Sequence, residues 1–528
     1  MVAFLRHHGI SPATPEAALF LLSGIALGVL LGALCLALGR SCLAVVSAAL
    51  VILSIDAQSD YFAAWNATLF WHFAALALLA LLLRRFLARA VPAIALAVLV
   101  AASFGASVPD TMRSSREFGA ANPSLPLVVH LVLDEYIGIE GIPREFDPDG
   151  ALEQELMDFY SEWGFALHSR AYSRYFNTHD AIPNLLNFHA TREPHAYFEE
   201  KFERGASLTA NAYFDELRSR GHNLRVYQTD YLDFCGGAGE ETVEHCFEYL
   251  LETPTRLRDL PLSNNDKFRM LTAMYMRLSV IWRQLRNSYQ DLHDTSGGDL
   301  PVRGRVSTVS GMLAFGSLRE DLSEPEPGAV YFAHLVLPHY PYSYNADCKL
   351  RTPASDWLEA GNARTRGAER NTEVSRAERY ALYLDQLRCT TLRLGELFEQ
   401  LRSSGHYESA RIIVHGDHGS RITRQKLRFD NEKNTTSRPG YDYIDGFSTL
   451  FAIKGPGIAA GTHRAIQPID LLLDAYLFTG RPPPNQTALQ EVLINTATTQ
   501  HILMPLPNFS HGELIDPESE KTSGKSDN

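Results

Sequence analysis

The chain has 528 residues, 45% of them hydrophobic and 21% charged, with a formal net charge of −13. That length exceeds what a single hydrophobic core ordinarily serves, so at least two units are expected. The acidic balance speaks against a nucleic-acid partner, because phosphate-backbone recognition starts from clustered positive charge.

In chain order, the first feature is apolar. Residues 17–39 are almost free of polar groups and long enough to cross a bilayer, which takes about 20 residues. Residues 61–83 and 90–107 are further candidate spans, and Cys42 to Ile55 is a shorter fourth. A cleaved signal peptide would be followed by a soluble chain, whereas here the apolar segments continue. Residues 1–107 are therefore expected to be a multi-pass anchor of three or four helices. Arg84, Arg85 and Arg89 form the dense basic loop between spans. Retaining them in the cytoplasm sends everything after residue 107 outward under either count. The expected location is the cell (inner) membrane, with the large unit extracytoplasmic.

Residues 108–126 carry three prolines and several serines and read as a linker. The run Leu127 to Leu133 is continuously apolar, as are Ala329–Leu337, Arg411–Val414 and Leu450–Ile453. Such runs fit strands buried on both faces of a parallel sheet. Between them lie helical patterns, clearest in Ala377–Leu401, where Tyr383, Leu387, Leu394 and Leu401 share a stripe. Alternating strands and helices predict an α/β layered domain over 127–508, with ligands gathered beyond the strand carboxyl ends. Residues 263–310 read as a helical insert, 423–441 as a surface loop, and 509–528 as a disordered tail. Four cysteines fall in the large unit. Cys235 and Cys246 flank a Gly-Gly turn and suit a local disulfide, leaving Cys348 and Cys389 as a second. No Cys-x-x-Cys pair occurs, which speaks against a thiolate zinc cluster.

Three strand ends and loops carry chemistry. After Arg411–Val414 comes His415-Gly416-Asp417-His418-Gly419, whose Asp417 and His418 are donors suited to zinc or manganese, with calcium or magnesium as alternatives. The first strand ends in Asp134-Glu135. Two carboxylates leaving a buried strand are costly unless a cation neutralises them. Thr178, in Tyr172-Ser173-Arg174-Tyr175-Phe176-Asn177-Thr178-His179-Asp180-Ala181-Ile182-Pro183, places a hydroxyl just before a Pro-started helix. Amides and dipole there favour an anion, and a metal-bound Thr178 alkoxide could attack phosphorus or sulfur. His339, held between Pro338 and Pro341, could donate to a substrate oxygen or bind a second ion. His415 is assigned with it to the substrate side. Plainer readings exist: Thr178 as a helix cap, the acids as solvated loop groups, His339 as a loop residue. His130 and His334, inside apolar strands, read as packed structural residues.

Together these residues resemble the alkaline phosphatase superfamily in its membrane-anchored sulfatase-like branch, which includes lipoteichoic acid synthases, phosphoethanolamine transferases and phosphoglycerol transferases. The resemblance spans roughly 125–480 and takes in Phe451-Ala452-Ile453-Lys454-Gly455-Pro456-Gly457 and Ile466–Leu472. It implies an alkaline-phosphatase-like α/β/α sandwich. It also implies one ion shared by Asp134 (with or without Glu135), Thr178, Asp417 and His418, with Thr178 as nucleophile and His339 facing the substrate. The formylglycine signature, Cys or Ser followed by x-Pro-x-Arg, is absent from the large unit. The next histidine after Asp417-His418 is His463, not the closer one with which phosphoethanolamine transferases hold a second zinc. The expected activity is phosphotransfer or hydrolysis on phospho- or sulfo-esters of envelope lipids or glycans. Alternatives are an ester hydrolase with water as acceptor and a non-catalytic module for surface-polysaccharide assembly.

Overall fold

The computed structural model describes residues 1, 4–5, 10–39, 82, 112–116, 118, 121–199, 205–251, 260–278, 306–358, 372–422, 440–484, 490–494 and 500–515. It divides into two compact units: Met1–Asp110, Glu252–Val306 and Leu350–Ala363 form one, and Thr111–Leu251, Ser307–Lys349 and Arg364–Asn528 the other.

In the first unit, helix Pro15–Leu38 begins with proline in its first turn, where the missing amide hydrogen costs nothing. Its stretch Pro15–Leu34 is long and apolar enough to cross a membrane, and Leu22, Ile25, Val29 and Leu30 expose apolar surface. The segments expected to span at 42–55, 61–83 and 90–107 lie outside the described residues apart from Leu82. The anticipated insert begins as helix Asn264–Leu278, whose Tyr275 packs edge-on against Phe4 and Phe20.

The second unit is built on a nine-stranded sheet. Its strands are β1 (Met112–Ser115), β2 (Val128–Leu133), β3 (Ala166–His168), β4 (Asn223–Thr229), β5 (Val243–Tyr249), β6 (Ala329–Leu335), β7 (Arg411–Gly416), β8 (Phe451–Lys454) and β9 (Gly461–His463), in spatial order β1-β5-β4-β6-β2-β7-β8-β3-β9. Neighbours from β5 through β7 run parallel, and β8 is antiparallel to both β7 and β3. The four apolar runs of the sequence are β2, β6, β7 and β8. Their continuity has a cause: Val129, Leu131 and Leu133 enter one core, while Val128 and Val132 enter the other. Fully burying each such side chain stabilises by roughly 1.5–3 kcal/mol.

Helices cover both faces. Helices α1 (Ala151–Glu162), α3 (Ser307–Asp321) and α4 (Glu373–Ser403) pack through Leu156, Leu318, Tyr383 and Leu387 on the first core. Helices α2 (Thr178–Leu186) and α5 (Ile469–Thr479) pack through Ile182, Leu185 and Leu472 on the second. The result is the expected layered α/β arrangement around one large sheet. Two disulfides, Cys235–Cys246 and Cys348–Cys389, join the expected partners.

Several boundaries differ from the sequence reading. Part of the 108–126 linker is edge strand β1, paired antiparallel with β5. The tail begins in order: Phe509–Ser510 pairs with Glu513–Leu514, and Phe509 is fully buried. Residues 423–439 of the expected loop lie outside the described residues, and helix Gly440–Phe447 follows.

Candidate active site at the carboxyl edge of the sheet

Strand register explains why distant residues meet. Leu133 of β2 pairs with Gly416 of β7 on one side and Leu335 of β6 on the other. The residues that follow these strands therefore emerge side by side: Asp134-Glu135 in the middle, Asp417-His418 on one flank and the His339 loop on the other. Parallel strands with helices behind them gather ligands at this edge. The glycines flanking Asp417-His418 are required by close approach rather than by an unusual backbone angle. A Cβ at Gly416 would collide with the Tyr136 carbonyl, and one at Gly419 with the Asp445 carbonyl. Helix Gly440–Phe447 pins the loop, since Gly419 N donates to Gly446 O at 3.0 Å and Arg421 N to Asp445 O at 2.8 Å.

Thr178 does not cap its helix. Asn177 does so, its side chain accepting from Asp180 N at 3.1 Å, and Thr178 is the first helical residue. The helix starts five residues before Pro183 rather than at it, because the Asn177 cap nucleates the turn upstream. Thr178 Oγ1 is thus released from capping and lies 3.3 Å from His418 Nε2.

Around His418 Nε2 stand Asp417 Oδ2 at 3.1 Å and Asp134 Oδ1 at 3.7 Å. Two donors on one tetrahedral zinc, each about 2.1 Å from it, lie about 3.4 Å apart. The three distances from His418 Nε2 bracket that spacing, and the donor atoms of Asp134, Asp417 and His418 all lie within 4.8 Å of one another. His418 Nδ1 donates to Gly419 O at 2.9 Å, which directs the Nε2 lone pair at the carboxylates. Asp417 Oδ1 accepts from the amides of Glu135 and His418, whereas Asp417 Oδ2 and Asp134 Oδ1 are buried with no hydrogen-bond partner. Uncompensated oxygens of this kind are expensive, and a cation answers both.

The electrostatics agree. Burial pushes the Asp134 carboxyl up, but His339, His334, His418 and Arg421 together outweigh it and hold the group below the usual carboxylate range. Burial and then the Asp134 charge push Asp417 well above that range. Burial, reinforced by Arg421, keeps His418 neutral far below its ordinary value. Two adjacent carboxyls that cannot both ionise become able to do so beside a divalent ion.

The remaining expected residues divide. His339 sits at the mouth, its Nε2 3.5 Å from Glu135 Oε1 and 3.2 Å from Arg421 Nη2. Glu135, with the left-handed φ of 65°, turns away from Asp417 and His418 and accepts from Arg421 Nε at 2.8 Å and Tyr340 N at 3.3 Å. It pairs with the guanidinium, and its donor atom also lies within 4.8 Å of those of Asp134 and His339, close enough to share an ion with them. His415 is fully buried. Its Nε2 lies 2.8 Å from His130 Nε2 and its Nδ1 2.8 Å from Gly416 O, which leaves neither nitrogen facing a substrate. His130 is structural as expected, with Nδ1 2.8 Å from the Tyr213 hydroxyl.

One residue at the site escaped the sequence reading, and another, His334, was read only as a packed residue. Arg421, four positions after Asp417 and also left-handed at φ 53°, brings a cation to the mouth. His334 is buried with Nε2 3.8 Å from Asp134 Oδ2 and neither ring nitrogen hydrogen-bonded. The Asp-His-Gly-Ser-Arg run carried a signal for the first. The apolar strand around His334 masked the second.

No family model and no curated protein matches the chain. Solved structures similar to it include a 2-O GAG sulfatase, at 12% identity and TM-score 0.42 over 76% of this chain and 87% of that one. A phosphonate monoester hydrolase of Agrobacterium radiobacter follows at 13% identity and TM-score 0.39, over 70% and 80%. The C-terminal periplasmic domain of a phosphoethanolamine transferase from Campylobacter jejuni gives 11% identity and TM-score 0.36, over 67% and 88%. The three structures named are thus a sulfatase, a phosphonate monoester hydrolase and a phosphoethanolamine transferase.

Proposed function

We propose that the chain is a membrane-anchored, divalent-metal-dependent enzyme of the alkaline phosphatase superfamily, transferring or hydrolysing phosphate esters of envelope lipids or glycans through Thr178. The observation that supports this most is a helix-N-terminal hydroxyl, free of capping duty, 3.3 Å from a neutral histidine that also faces two buried carboxyls. Asp134, Asp417, His418 and Thr178 would hold the ion, zinc or manganese by donor type. When bound, it lowers the hydroxyl pKa and offsets charge on the ester oxygens.

The protein groups supply the rest. Thr178 would give up its hydroxyl proton to solvent water on binding the ion, and Oγ1 attacks phosphorus in line with the leaving oxygen. The Oγ1–P bond forms as the bond from phosphorus to the leaving alcohol breaks, and that alcohol departs with a proton from the His339 side. Arg421, held against Glu135, faces the oxygens of the transferring group. Attack by a second hydroxyl, from glycan, lipid or water, then frees Thr178. The absence of a formylglycine signature favours phosphate over sulfate.

The test uses the full-length chain with p-nitrophenyl phosphate, p-nitrophenyl sulfate and phospholipid vesicles, with and without chelator. Metal-dependent turnover of the phosphate ester or vesicle phospholipid that vanishes in Thr178→Ala is expected. Full turnover in Thr178→Ala, or none of any probe by the metal-loaded wild type, would overturn the proposal. The second result leaves the assembly-module reading. Topology is checked with a reporter active only outside the cytoplasm: active when fused at Ser510 and silent at Leu87. The reverse pattern would contradict an extracytoplasmic site.

A further inference from the structure

A second cluster lies on the same first helical turn. Asp180 of α2 is fully buried, and three histidines converge on its carboxylate. His501 Nε2 is 3.1 Å from Asp180 Oδ2, His179 Nε2 is 3.9 Å from the same oxygen, and His195 Nδ1 is 3.6 Å from Oδ1. The donor atoms of His179, Asp180 and His195 all fall within 4.8 Å of one another. The three distances to the Asp180 carboxylate bracket the spacing of about 3.4 Å between donors on one tetrahedral ion, and His501 reaches the group through Asp180 Oδ2.

We propose that His179, Asp180, His195 and His501 form a second divalent-metal site of the zinc class, separate from the ligands Asp134, Asp417 and His418. Burial without compensation is the first argument. His501 is 1% exposed and Asp180 fully enclosed, yet Nδ1 of His501 makes no hydrogen bond and the 3.1 Å approach of its Nε2 to Asp180 Oδ2 lacks hydrogen-bond geometry.

Outer contacts are the second argument. His179 Nδ1 lies 2.9 Å from the Tyr231 hydroxyl, which orients Nε2 toward Asp180, the kind of support ligating histidines ordinarily have. His195 is held at a left-handed φ of 58°, and its backbone amide donates to Asp180 Oδ1 at 2.9 Å. Backbone in that region persists where the surroundings impose it. His179 and His195 are partly exposed, which provides an entry path. Three imidazoles and one carboxylate select zinc, cobalt or copper over calcium or magnesium. The ion would fasten the turn bearing Thr178 to segments near 195 and 501.

The test measures bound zinc per full-length chain after loading and desalting. Two equivalents are expected in the wild type. One should remain in the double variant His195→Ala/His501→Ala and one in Asp417→Asn. Wild-type zinc content in the double variant, or a wild-type total of one that Asp417→Asn abolishes, would overturn the second site. One equivalent in the wild type that Asp417→Asn retains and the histidine variant loses would instead remove the first site and leave this one standing. A mutation-free measurement guards against misfolding. Diethyl pyrocarbonate should modify His195 in the metal-free wild type and fail to do so in the zinc-loaded protein. Equal modification in both would contradict the assignment.

Discussion

The two clusters that share the start of α2 are built on opposite plans. Asp134, Asp417 and His418 hang from the ends of neighbouring parallel strands, fully enclosed and rich in oxygen. His179, Asp180, His195 and His501 join a helix turn to two loop segments, half open and rich in nitrogen. Strand register fixes the first to the backbone of the sheet; the second depends on chain segments that no ladder aligns. Rigid edges suit chemistry that needs donors placed within fractions of an ångström, whereas a cross-link between loops suits fastening.

The largest effects should separate the clusters by function. Thr178→Ala and Asp417→Asn should each cut turnover at least about a thousandfold, as removal of a nucleophile or its activating group does in other enzymes. Asp180→Asn should leave measurable turnover, since it touches the nucleophile only through the helix turn. Steady-state assays of purified variants decide this, and equal losses in all three would erase the distinction.

Next in size are the disulfides, which belong to neither cluster. Replacing Cys348 and Cys389 by alanine should cost roughly 2–4 kcal/mol in chemical denaturation, with metal content unchanged. A change in metal content would mean that this bridge positions a site.

Gly419→Ala forces a methyl group against the Asp445 carbonyl and should cost about 1–3 kcal/mol while weakening metal retention at the first cluster alone. Loss of metal from both clusters would show them to be mechanically one. The smallest effect is expected at Asn177→Ala, which removes the cap of the helix that both clusters use, at about 1 kcal/mol. A negligible change in melting temperature would indicate that packing alone holds the turn.

The contrast also accounts for what the sequence disclosed. Strands β2, β6, β7 and β8 are buried on both faces, so their apolar runs stood out. Asp134, Asp417, His418 and His339 were legible because they follow such runs directly. Strands β4 and β5 were not anticipated: Asn223–Thr229 and Val243–Tyr249 mix polar residues into the run and carry partly exposed positions. The second cluster left no local pattern either. His179 and Asp180 lay inside the Thr178 segment, but His195 and His501 reach them only through the tertiary fold. Thr178 itself was singled out for a partly mistaken reason, since Pro183 lies inside the helix and Asn177 supplies the cap.

The most direct test of the central claim is chemical trapping at Thr178. The full-length chain, loaded with zinc or manganese and quenched in acid during turnover of p-nitrophenyl phosphate, should yield a peptide bearing one phosphoryl group on Thr178. The adduct should be absent from Thr178→Ala and from chelated wild type. A phosphoryl group on another residue, or robust turnover with no adduct at any quench time, would contradict the account.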